Sequence, residues 1–271
     1  MGRDATKTDE DIPEALDWQG GEVRCESCPH RALLAERQCR RQQACVQDRY
    51  ARRIDRFFEW NPGLSNDYLS HSYFEVRAIA AKYADETLLP WLLRDPDETV
   101  RWSAAQRLPK RYLMRLIDDP HREVRIRVAH RIDDADLFVM MHDADYYVRQ
   151  IVARRIAANL PQKMVHDPDP EVRCIVARRI GSGWLTPLLS DNDGDVRLEA
   201  ARRLPPEQLK TLQHDADWRV RYEVAGRMDM RWLAEMAEDA DPLVQERVAA
   251  RLAGKRDEWE LVETSGKEKP Q

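Results

Sequence analysis

Asp167–Ile180 reads DPDPEVRCIVARRI, and the chain carries this pattern in eight registers. With Val172 as the mark, Val76, Val100, Val124, Val148, Val172, Val196, Val220 and Val244 stand 24 residues apart without a break. An unbroken period of this length predicts a solenoid, in which each repeat buries its apolar face only against its neighbours. Writing V for the marked valine, positions V, V+4, V+5 and V+8 are apolar throughout repeats 2–8, as in Val172, Val176, Ala177 and Ile180. That spacing is one buried face of a helix of about three turns. Asp stands at V−3 in six copies (Asp97, Asp145, Asp169, Asp193, Asp217, Asp241) and is followed by Pro170 or Pro242 in two. Asp then Pro predicts an N-cap followed by the first helical residue.

The rest of each repeat holds a second apolar cluster at V+13, V+16 and V+17, for example Leu89, Leu92 and Leu93 or Leu185, Leu188 and Leu189. After one helix and two turns, 24 residues leave room for one or two further turns of helix, and pieces that short are often 3₁₀. Leu and Met dominate the cluster where a strand would favour β-branched residues. The expected fold class is therefore an all-α solenoid of 24-residue repeats. HEAT-type repeats share the D…VR…A look but need a longer period.

Two charged columns run along the array. Arg fills V+1 in repeats 1–7 (Arg77, Arg101, Arg125, Arg149, Arg173, Arg197, Arg221), and Asp fills V−5 in repeats 2–8 (Asp95, Asp119, Asp143, Asp167, Asp191, Asp215, Asp239). The offset of one repeat predicts seven bridges between neighbours, Arg77–Asp95 through Arg221–Asp239. A third column, Arg at V+7 (Arg107, Arg131, Arg155, Arg179, Arg203, Arg227, Arg251), offers two readings. It could hold phosphates, or be satisfied internally by the Asp caps and last-turn carbonyls. Its filling of the same repeats as the caps favours the second.

The chemistry lies ahead of the array. Four of the five cysteines fall at Cys25, Cys28, Cys39 and Cys45. Clustered thiols in a reducing compartment read as metal ligands rather than disulfides. Four thiolates suit a tetrahedral zinc ion or a cubane iron–sulfur cluster, and the spacing alone separates neither. Arg37–Gln43 reads as helical, and Arg24, Arg31, Arg37, Arg40 and Arg41 would offset an anionic cluster. Cys174, at the variable position V+2, reads as a packing thiol.

The net charge of −5 argues against a general nucleic-acid binder, although residues 25–58 hold eight arginines against four acids. That excess leaves open an interaction patch beside an acidic N-terminus. No apolar run is long enough to span a bilayer, so no membrane contact is expected, and the N-terminus lacks the apolar core of a signal peptide. A cytoplasmic location follows as the expectation. No phosphate-binding glycine loop, nucleophile elbow or HExxH occurs, so the chain is not expected to be an enzyme.

The expected organisation is an acidic, mobile N-terminus over 1–21, in which Ile12, Leu16 and Trp18 could dock, and a cysteine segment over 22–45. A degenerate linking repeat follows over 46–69, its helix starting at Val46. The eight-copy array covers 70–252. A tail over 253–271 has Trp259 and Leu261 placed to cover the last repeat.

A four-cysteine segment followed by 24-residue DPxxxVRxxVAxR repeats resembles the leucine-rich repeat variant family of nitrogen-fixing bacteria, over about residues 22–252. The resemblance implies a right-handed superhelix of alternating α- and 3₁₀-helices and a [4Fe–4S] cluster on Cys25, Cys28, Cys39 and Cys45. It thereby favours iron–sulfur over one zinc ion. The expected function is a non-enzymatic, cluster-bearing scaffold for an unidentified protein partner, with the cluster serving redox sensing, electron transfer or structural capping. The alternative is a zinc-capped solenoid that binds nucleic acid through its arginines.

Overall fold

A computed structural model describes residues 14–254. They fall into two compact units divided between Met140 and Met141. In the first, helices Ala51–Trp60, Phe74–Tyr83, Glu98–Arg107 and Arg122–Arg131 alternate with short segments at Pro62–Tyr68, Leu89–Arg94, Lys110–Leu116 and Leu137–Met140. In the second, helices Tyr146–Arg155, Pro170–Arg179, Gly194–Ala201, Trp218–Arg227 and Pro242–Leu252 alternate with short segments between Pro161 and Met236. The short segments are 3₁₀, two of them opening with one turn of α-helix (Lys110–Leu113 and Met230–Leu233). Among the described residues there is no strand, only the isolated bridges Leu16–Glu22 and Arg40–Ala44.

Each repeat folds this way for local reasons. All eight marked valines are at most 1 % exposed, so the helix face read from the spacing is the core face. Each of the six Asp caps accepts a hydrogen bond from a first-turn N–H of its own helix. Such a cap contributes about 1 kcal/mol. The helices stop abruptly because V+8 turns extended: Leu108, Ile156 and Ile180 have ψ of 140°, 148° and 154°. That turn drops an apolar side chain into the core and leaves the last carbonyls without a helical partner.

The arginine columns answer those needs. Six of the seven expected bridges lie within a unit, and all six form as two parallel N–H···O bonds of 2.7 to 3.0 Å. The seventh expected pair, Arg125 and Asp143, falls on residues of different units. Each of these arginines also donates to the V−5 carbonyl of its own turn, as Arg101 does to Asp95 O at 2.8 Å. The same Asp accepts the V−3 N–H, as Asp95 does from Asp97 at 3.0 Å. Gln245, where the eighth Arg would stand, keeps the carbonyl bond alone, at 2.6 Å to Asp239 O.

The V+7 column is internal as well. Arg107, Arg131, Arg179, Arg203, Arg227 and Arg251 each reach back to the V+5 and V+8 carbonyls of the preceding repeat. The carbonyl half of the expectation therefore holds. The Asp caps are not their partners, since those carboxylates are held by N–H groups.

Two boundaries differ from the sequence reading. The linking helix starts at Ala51 rather than Val46, because Val46 is drawn into the core with Phe57 and Phe58. Part of the N-terminal stretch expected to be mobile is packed: Ala15 is buried, Arg49 N–H donates to Leu16 O, and Trp18 stacks on Tyr73 at 5.8 Å. Ile12, Trp259 and Leu261 lie outside the described residues; Leu252 is 46 % exposed.

Candidate metal centre

The Cys25–Cys28 turn closes through Cys28 N–H to Cys25 O (3.3 Å), and His30 N–H points at the Cys28 sulfur at 3.4 Å. Helix Arg31–Ala35 follows. It ends in a reversal: Gln38 N–H donates to Leu33 O and Arg37 N–H to Leu34 O, with Arg37 left-handed at φ 59°. This is a Schellman ending with arginine where glycine is usual. It folds Cys39 back under the helix, its N–H also on Leu33 O. A second left-handed residue, Gln42 at φ 68°, turns the chain within Arg40–Ala44. Arg37–Gln43 is thus two tight turns and not the expected helix. Arg and Gln have good helix propensity, but the need to bring Cys39 and Cys45 back overrides it.

Cys45 is fixed from the linking helix. Its N–H donates to Arg53 O, and Asp48 N–H donates to Cys45 O. The Asp48 and Arg53 side chains pair at 2.9 Å with both fully buried, and Arg53 also donates to Glu14 O at 2.8 Å. Asn61, at the far end of the helix, ties the other loop by donating to Gln38 O at 2.7 Å.

All five cysteines are free thiols, each partly buried. Burial pushes the Cys39 thiol up, and the charges of Cys28 and Cys25 add to it. Burial likewise pushes Cys45 up to about 12, against N–H bonds from Gln47 and Asp48, with Asp48 and Cys28 adding. Cys28 is thus close enough to feel the charge of both Cys39 and Cys45, and Cys39 that of Cys25. No three His, Cys, Asp or Glu side chains among the described residues stand close enough to share one metal ion. Four thiols on one short segment, with N–H groups aimed at the sulfurs of Cys28 and Cys45, are the donor chemistry that an iron–sulfur group takes. Arg24, Arg31, Arg37, Arg40 and Arg41 are all exposed along this segment. Arg41 is held by Glu22 at 2.5 Å, and that bond, with Cys25 contributing, raises its pKa.

The sequence reading missed two neighbours of the centre. His30 Nε2 hydrogen-bonds the Tyr68 hydroxyl, and the His30 ring packs on Phe57 at 5.3 Å. Burial pushes Tyr68 up to about 12, with the charges of Cys28, Asp67 and Cys45 adding, while burial lowers His30 against Asp67. The only sequence signal for this pair was His30 two residues beyond Cys28. Cys174 lies far along the chain; burial pushes its thiol up to about 11, in keeping with a packing role.

Residues 15–67, which hold all four cysteines and residues 46–67 of the linking repeat, match the family model described as "LRV protein FeS4 cluster". A solved structure described as a leucine-rich repeat variant with a novel repetitive structural motif is 38 % identical to this chain. It superposes with a TM-score of 0.80, covering 84 % of this chain and 98 % of that one. The chain belongs to the leucine-rich repeat variant family. Among curated relatives, the "Uncharacterized 27.7 kDa protein in nifB 3'region" of Rhodobacter capsulatus is 46 % identical over 97 residues. The match covers 36 % of this chain and 40 % of that protein, so the chain spans less than half the length of that relative. The iron–sulfur model of the family spans all four cysteines, and the structural match extends over the repeats behind them. Among the described residues, no helix is long and apolar enough to cross a membrane.

Proposed function

We propose that this leucine-rich repeat variant protein is non-enzymatic and cytoplasmic, and that it holds a [4Fe–4S] cluster on Cys25, Cys28, Cys39 and Cys45 at the head of a repeat array that binds another protein. The observation that carries this reading is that all four cysteines, linked through Cys28 and Cys39 by their mutual charge influence, lie inside the stretch that matches the iron–sulfur family model. Bound there, the cluster would supply one-electron chemistry or a rigid four-point crosslink. The protein's own residues have definable parts in holding it. The N–H groups of His30, Gln47 and Asp48 stabilise thiolate sulfur, and the Asp48–Arg53 pair fixes the Cys45 loop. The exposed arginines offset the negative charge of four thiolates.

The zinc-and-nucleic-acid reading draws on two arginine sets, and the V+7 set bonds to backbone carbonyls, which leaves that reading the exposed arginines of the cysteine segment. Anaerobic purification with visible absorption, iron and sulfide analysis, and electron paramagnetic resonance after reduction tests the proposal. Four irons and four sulfides per chain are expected. A colourless protein with one zinc per chain would sink it.

A further inference from the structure

Within the second unit, one arginine column is only partly neutralised by the fold. Position V+6 is Arg154, Arg178 and Arg202 in three consecutive repeats, flanked by His130 before and Gly226 after. All three are exposed. Among the described residues Arg154 bonds a neutral group, Gln150 Oε1 at 3.1 Å. Arg178 and Arg202 share the carboxylate of Glu199, at 2.7 and 2.9 Å. These side chains wall a groove of about 470 Å³, and Cys174, Ile175 and Leu198 supply its apolar floor. The contrast with V+1 and V+7 is chemical. Those guanidiniums are saturated by Asp carboxylates and carbonyls, whereas here Arg154 has no carboxylate partner among the described residues and Arg178 and Arg202 divide one. Arg219 on the same groove is held by Asp195 and Asp217.

The spacing selects a ligand. Neighbouring helices in a stack lie about 8–10 Å apart. An extended polyproline-II chain advances about 9 Å in three residues and presents every third side chain on one face. We infer that the groove docks a protein segment in that conformation, carrying an Asp or Glu at every third residue and apolar residues between. The acids meet Arg154, Arg178 and Arg202, and the apolar residues meet the Cys174–Leu198 floor. Glu171, Asp195 and Glu199 line the same groove and would repel a uniform polyanion, which favours a mixed acidic and apolar peptide over a nucleic acid. The inference names the partner for the array half of the reading above. The iron measurement does not touch it, so either can fail alone.

The test uses the full-length protein and a fluorescein-labelled peptide of repeated Glu-Pro-Val units, with binding read by anisotropy. The expected result is saturable binding that weakens with salt and about three- to five-fold loss of affinity for each of Arg154→Ala, Arg178→Ala and Arg202→Ala. The triple variant should lose about thirty-fold or more, and the triple Lys variant should keep part of the binding, because the charge remains without the planar fork. Unchanged circular dichroism checks the fold. Three outcomes overturn the inference: no binding by the wild type, equal binding of a same-composition peptide with its acids contiguous, or a short DNA duplex that binds more tightly and loses affinity in the same variants.

Discussion

The array and the cysteine segment solve the same problem, holding turns together, by opposite means. In the array every turn is tied by the same few bonds repeated down the stack, and losing one leaves its copies. In the cysteine segment each tie is made once: Asn61 to Gln38, Asp48 to Arg53, His30 to Tyr68. The core differs in the same sense. Between residues 14 and 50 the buried apolar side chains are Ala15, Val23, Ala44 and Val46, whereas every repeat buries a marked valine and several partners. Four small side chains cannot stabilise some 35 residues of loop. The segment should therefore depend on what its thiols hold, and the array should not.

The largest expected effect follows from that dependence. Removing the bound group with a chelator under reducing conditions withdraws a contribution on the order of 10 kcal/mol, as for metal-dependent small domains. Hydrogen exchange over residues 14–50 should then rise toward unprotected rates while helices from Glu98 onward keep their protection. Equal loss of protection in both regions would show that the segment is a structural cap for the whole stack. Next in size is Asp48→Ala. It leaves the fully buried Arg53 without its carboxylate, which costs about 3–5 kcal/mol. Because that pair positions Cys45, the variant should lose iron on dialysis faster than wild type, with the array's thermal transition nearly unmoved.

In the array, Arg149→Ala removes one bridge and the bond to Asp143 O, so about 3 kcal/mol is expected, measured by urea unfolding. Acid tests the same column without mutation. The Arg221 hydrogen bond holds the Asp239 carboxyl below the usual carboxylate range. As pH falls, protons bind the unfolded carboxylate first, near pH 4, so the bridge contributes fully above that value. Its contribution declines as pH drops further, through the depressed folded value. In Arg221→Met the stability of the second unit should be less sensitive to pH below about 4.

The two regions also differ in how much could be read beforehand. A period of 24 gives one chain the power of an alignment: the one-repeat offset between the Arg and Asp columns was enough to pair Arg101 with Asp119 and Arg173 with Asp191. The V+7 arginines were half legible, because their partners are backbone carbonyls, which leave no mark in the sequence. The cysteine segment has one copy, so nothing distinguished a tight turn at Arg37 from a helix. Trp18 on Tyr73 and His30 on Tyr68 are contacts 55 and 38 residues apart with no second instance to betray them. The four thiols were visible as a set; the residues that hold them were not.

The smallest effect tests whether the segment's geometry or its charge matters more at one position. Arg37 stands left-handed at φ 59°, a conformation that costs a residue with a Cβ about 1 kcal/mol. Arg37→Gly removes that strain but loosens the unfolded chain by about half as much or more. A net stabilisation of a few tenths of a kcal/mol is expected, or a rise in melting temperature of about 1 °C for the iron-loaded protein. The side chain is exposed, so little burial is lost with it. If the glycine variant melts higher yet sheds iron sooner, the arginine is kept for its charge beside the thiolates at the expense of the turn. If it melts lower by several degrees, the side chain makes a contact that holds the turn, and the opposition between a bonded array and a loosely tied segment weakens at that residue.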